Sequence, residues 1–128
     1  MKRIFCCFVL VMFLCSVISG CAPLIVGAAV GGVAMYAVSK DTIQGETDRD
    51  YDSLWNAALL VSRIRGNIKK DDYMKGYIEA EIDSSRVYIR LSRVTSSTIK
   101  LRVSARKYHF PNLTLAQDLF VRIVEEAK

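Results

Sequence analysis

The chain has 128 residues, of which 52 % are hydrophobic and 24 % charged, with a formal net charge of +5. That length allows one small domain. A positive charge this mild argues against a dedicated nucleic-acid binder.

The first twenty residues read as an export signal. Lys2 and Arg3 form a short basic start, and Ile4 to Val17 is an uncharged apolar run. Its 14 residues suit a signal peptide and fall short of the ~20 that span a bilayer as a helix. Ile18-Ser19-Gly20-Cys21 follows. The small residues let an extended backbone enter a peptidase cleft, and the Cys21 thiol is the nucleophile that takes a diacylglyceryl group. This resembles the lipobox of bacterial lipoproteins. The expectation is a signal peptide over residues 1–20 and lipidation at Cys21, with palmitate among the acyl chains. Export argues further against nucleic acid as a partner.

The cysteines agree with that reading. Cys6, Cys7 and Cys15 lie inside the signal and Cys21 is consumed by lipid, so the mature chain has no free thiol and no disulfide. Lys2 and Arg3 leave with the signal, so 18 basic residues become 16 against 13 acidic ones, a mature charge of about +3. Ala22 after the cysteine is not Asp, which by analogy with sorting in enteric bacteria points to the outer membrane, facing the periplasm.

Leu24 to Val38 is an uncharged run containing Gly27, Gly31 and Gly32 among alanines. As a helix it would present a small-residue stripe for membrane contact or self-association. At 1.5 Å per residue it would be only ~22 Å long, too short to span comfortably. The other reading is a glycine-rich spacer. Residues 21–39 therefore form the lipidated N-terminus and apolar segment, and residues 40–128 the globular domain.

From Lys40 onward the composition is that of a folded domain. Thr42 to Thr47 reads as a strand. Asp50 or Asp48 can cap a helix over Tyr51–Arg65, whose apolar stripe holds Leu54, Trp55, Ala58 and Val61, and Gly66 suits its C-terminal end. A strand over Gly66–Asp72 has a weak pattern. Three alternating segments follow, carrying Ile78, Ala80 and Ile82, then Val87, Ile89 and Leu91, then Ile99, Leu101 and Val103. Period-two alternation repeated in this way means antiparallel strands with one buried face. A two-residue loop at Ser84-Ser85 would set Asp83 opposite Arg86, Glu81 opposite Tyr88 and Glu79 opposite Arg90. After Pro111-Asn112, Thr114 and Gln117 form a capping box for a terminal amphipathic helix along Leu115, Leu119, Ile123 and Ala127. The expected fold is α+β, a two-layer sandwich in which an antiparallel meander carries two helices on one face, in the order β-α-(β)-β-β-β-α.

A lipobox, the GAAVGG run, Tyr51 with Leu54-Trp55-Ala58, a meander and a C-terminal helix together resemble a family of small bacterial lipoproteins catalogued only as a domain of unknown function. The resemblance covers nearly the whole mature chain. It implies an envelope location and this fold, and it supplies no catalytic residues.

The residues able to carry chemistry argue against an enzyme. His109 is the one histidine, and with no cysteine it forms no typical zinc site. Glu79, Glu81 and Asp83 share an exposed strand face, where arginines opposite would keep all three ionised. No nucleophile elbow, G-x-G-x-x-G or Walker loop occurs. No metal and no cofactor is expected. What remains is a basic patch of Arg86, Arg90, Lys100 and Arg102, joined by Arg106 and Tyr88. The leading expectation is a non-enzymatic, membrane-anchored interaction or assembly component with another envelope protein as partner. The alternative is binding of an anionic glycan, lipid headgroup or acidic partner on the basic sheet face.

Overall fold

A computed structural model describes residues 1–17, 28–30 and 33–127. Cys21, Gly27, Gly31 and Gly32 lie outside the described residues. Helix α1 spans Lys2–Val17. Among the described residues no helix is long and apolar enough to cross a membrane. Strands β1 (Ala28–Val30), β2 (Val33–Ser39) and β3 (Thr42–Thr47) precede helix α2 (Tyr51–Arg65). Strands β4 (Gly66–Asp72), β5 (Tyr77–Ile82), β6 (Ser85–Arg93), β7 (Ile99–Lys107) and β8 (Phe110–Pro111) precede helix α3 (Leu113–Glu126). The strands form one antiparallel sheet in the order β1-β2-β3-β7-β6-β5-β4, with β8 paired to the end of β7. The class is α+β.

Local chemistry accounts for the helices. Asp50 caps α2 by accepting from the backbone N–H groups of Asp52 and Ser53 at 3.1 and 3.2 Å, which satisfies two donors that have no partner inside the helix. At the other end the Gly66 N–H donates to the Ser62 carbonyl. In α3 the cap is Asn112, whose side chain accepts from Leu115 N–H at 3.3 Å. This corrects the expectation of a Thr114 capping box. The helix starts two residues earlier, directly after Asn112, whose own N–H still donates to the Ala105 carbonyl of β7 at 2.9 Å.

The two helices cover one face of the sheet. Leu54, Trp55, Ala58 and Val61 of α2 and Leu119, Phe120, Ile123 and Val124 of α3 share one core with Ile78, Ile82, Val87, Ile89, Leu101 and Val103. Each fully buried large side chain contributes ~1.5–3 kcal/mol. Arg65, at the end of α2, ties the layers together through Asp118 of α3 at 2.8 Å and Asp83 at 3.6 Å.

Two further expectations change. The described part of Leu24–Val38 is neither helix nor spacer but a hairpin, in which β1 pairs with β2 and β2 with β3. Met35 is buried, Ala37 packs on the core, and Tyr36 and Val38 point outward, so this segment alternates like the rest of the sheet. The sheet thus begins upstream of Lys40. The β5–β6 turn is also displaced. Asp83 and Ser84 both have positive φ, 51° and 59°, as a two-residue hairpin turn of type I′ requires. Ile82 therefore faces Ser85, Glu81 faces Arg86, Glu79 faces Tyr88 and Tyr77 faces Arg90.

Candidate functional site

The face of the sheet away from the helices is built by the alternate residues of the same strands, and apart from buried Thr42 the residues of its central rows are exposed or half-buried. Across it run parallel rows set by the pairing register. One row reads Tyr36, Gln44, Arg102, Arg90 and Tyr77, from β2 through β3, β7 and β6 to β5. The next holds Thr42, Ser104, Tyr88 and Glu79, and the one beyond it Arg106, Arg86 and Glu81. Arg90 thus stands directly opposite Arg102, and Arg86 directly opposite Arg106. Tyr88 and Ser104 separate the two arginine pairs.

Neutralisation of the cations on this face is uneven. Arg106 is paired to Asp41, whose carboxyl also accepts from Ser39 and Thr42. Lys100 reaches Glu46 at 3.8 Å. Among the described residues, Arg86, Arg90 and Arg102 make no ion pair. The expected pairs Asp83–Arg86 and Glu79–Arg90 do not form, because the turn at Asp83-Ser84 moves β5 by two residues. Glu81 instead meets Lys69 at 3.5 Å, and Asp83 meets Arg65.

Aromatic groups complete the patch. The Arg90 guanidinium lies over the Tyr77 ring, 5.7 Å from its centroid, and Tyr77 and Tyr88 stack with centroids 6.3 Å apart. The Tyr77 hydroxyl donates to Glu79 Oε2 at 3.3 Å. Burial, with Glu79 beside it, pushes its pKa above the usual tyrosine value, so it stays a donor. Lys70, Lys75, Tyr77, Arg90 and Ser92 line an open cleft of about 610 Å³ at one end of the patch, with Asp72 as its one acid.

Of the residues anticipated for anion binding, Arg90 and Arg102 are brought together, Arg86 lies two rows away, and Lys100 is engaged by Glu46. Tyr77 and Gln44 escaped the sequence reading, because only the register shows which residues flank an arginine. His109 sits exposed in the turn between β7 and β8. Cation and π-faced groups held on rigid strands can take an anion with flat or ring-shaped parts.

The architecture is an α+β domain with one basic sheet face that helices α2 and α3 leave uncovered. The chain belongs to a family described as protein of unknown function (DUF3568), which it matches over residues 3–107. No curated protein matches it.

Proposed function

We propose that the protein is a non-enzymatic lipoprotein of the bacterial cell envelope, tethered by lipid on Cys21, whose basic sheet face binds an anionic partner. The arrangement of Arg90 opposite Arg102 carries this reading. Like charges directly opposite on neighbouring strands destabilise a sheet. An anion lying between the two guanidiniums would remove that cost and gain charge-assisted hydrogen bonds. Tyr77 and Tyr88 beside them favour a ligand with ring faces, such as an anionic oligosaccharide. The basic start, apolar run and Ile18-Ser19-Gly20-Cys21 support export and lipidation, and Ala22 supports the outer membrane, facing the periplasm.

The test uses dextran sulfate against neutral dextran as probes, with the full chain in nanodiscs of neutral lipid. Dextran sulfate should bind and neutral dextran should not. Binding should weaken steeply with added salt, because exposed charges are screened within ~8–10 Å at physiological ionic strength. Replacing Arg90, Lys100 and Arg102 together by Ser should abolish binding while leaving the melting temperature near that of the unaltered protein. Equal binding of both polymers, or undiminished binding by the triple variant, would sink the reading. Separately, Cys21→Ala should block incorporation of labelled palmitate.

A further inference from the structure

The end of the domain that carries the β7–β8 turn exposes aromatic rings beside unneutralised cations. Tyr108 is 78 % and Phe110 74 % exposed. Tyr108 has φ of 57°, a conformation that side-chain-bearing residues rarely adopt. Lys107 precedes the turn and Ser85 faces it across the sheet, with Arg86 next along β6. Glu81, Ser84, Arg86, Tyr108 and His109 line a cleft of about 400 Å³ there. The β2–β3 turn at the same end adds exposed Lys40.

Strand directions turn the start of β1 towards this end. β7 runs towards the turn, β3 away from it, β2 towards it and β1 away from it. Ala28, the first residue of β1, is therefore the one nearest the Tyr108 side. Ala28 stands level with Met35, Gly45 and Leu101 in adjoining strands. Leu101 and Tyr108 are seven residues apart in the chain, six of those steps along β7, a rise of ~20 Å. Cys21 and Ala28 are also seven residues apart, and seven residues reach at most ~25 Å. A lipid on Cys21 thus comes within reach of a bilayer that lies at the Tyr108 end.

We infer that the β7–β8 turn docks on the membrane holding the lipid tether, with Tyr108 and Phe110 in the interfacial zone and Arg86 and Lys107 on anionic headgroups. Aromatic rings favour that zone, and each nearby cation is attracted by an anionic leaflet. Docking rests on the lipid at Cys21 proposed above. It orients the domain with the sheet strands rising from the membrane, and leaves the Thr95–Thr98 end furthest into the aqueous space.

The experiment takes the lipidated full chain, with its attachment verified by palmitate label, in vesicles of phosphatidylcholine with phosphatidylglycerol. A spin label at Tyr108→Cys is compared with one at Ser96→Cys, and a second tip label at Phe110→Cys guards against a turn that does not form. Collision with oxygen relative to an aqueous nickel chelate should be severalfold higher at 108 and 110 than at 96. The difference should shrink when phosphatidylglycerol is omitted. Labelled protein with all three sites equally wet would overturn docking while leaving the tether intact. Immersion indifferent to phosphatidylglycerol would overturn the headgroup contacts. Protein that takes up no palmitate would remove the tether, and docking with it.

Discussion

Gly76 lies against Leu91, its carbonyl accepting from the Leu91 N–H at 2.8 Å, so closely that a Cβ at position 76 would stand 2.2 Å from the Leu91 carbonyl oxygen. Its φ is 61°, which an L side chain adopts only with strain. Gly76→Ala is expected to cost ~2–4 kcal/mol, because both backbone strain and a backbone clash must be relieved. Met74, 88 % exposed two residues away, should tolerate Ala with almost no effect. Thermal unfolding of the two variants checks the contrast, and similar melting temperatures would contradict it.

The Asp41 carboxyl is held down at about 2, by the Ser39 hydroxyl first and then by Arg106 and Thr42, against its partial burial. A depressed folded pKa contributes stability that is present above the unfolded value near 3.8 and is lost as pH falls through the folded value. The contribution, roughly 1–2 kcal/mol, should therefore disappear between pH 4 and pH 2. Denaturant titrations across that window should show a shallower acid slope for Asp41→Asn than for the unaltered protein. An unchanged slope would remove Asp41 from the account of acid unfolding.

Trp55 is buried in α2 and meets the Tyr73 ring edge-on, with centroids 5.4 Å apart. Tyr73 in turn receives the Tyr51 hydroxyl on its carbonyl at 2.9 Å. Trp55→Ala should cost ~3–5 kcal/mol through lost burial and the cavity left behind. Chemical denaturation gives the number, and a cost below ~1 kcal/mol would mean that the indole contributes little to the core.

At Ser84, φ of 59° favours glycine. Ser84→Gly should raise stability by ~0.5–1 kcal/mol, as relief of left-handed strain outweighs the entropy of glycine in the unfolded chain. Asp83 is better left in place, since it also meets Arg65. A destabilised Ser84→Gly variant would argue against the turn type.

Much of the fold was legible because the sheet is amphipathic. Helix α2 and the inward residues of β5, β6 and β7 appeared in the alternation and the caps alone. The register did not. A shift of two residues keeps every apolar group on the buried side, so Ile82 opposite Val87 and Ile82 opposite Ser85 satisfy the pattern equally well. The choice fell to the turn, where Asp83-Ser84 accepts positive φ and releases Ser85 into the strand. The candidate site suffered most from this, because arginine partners on the open face depend on register. Strand β2 was hidden for another reason. Its outward residues, Tyr36 and Val38, are apolar enough to erase the alternation that reveals the other strands.

Strand β4 ends its side of the sheet, and its pairing with β5 is broken between Ile68 and Lys70. Lys69, Lys70 and Asp71 are exposed along the same stretch. A bulge and a cluster of charges on an outer strand are what keep a second chain from adding its own strand there. Growth of the sheet from one molecule to the next across β4 is thereby disfavoured.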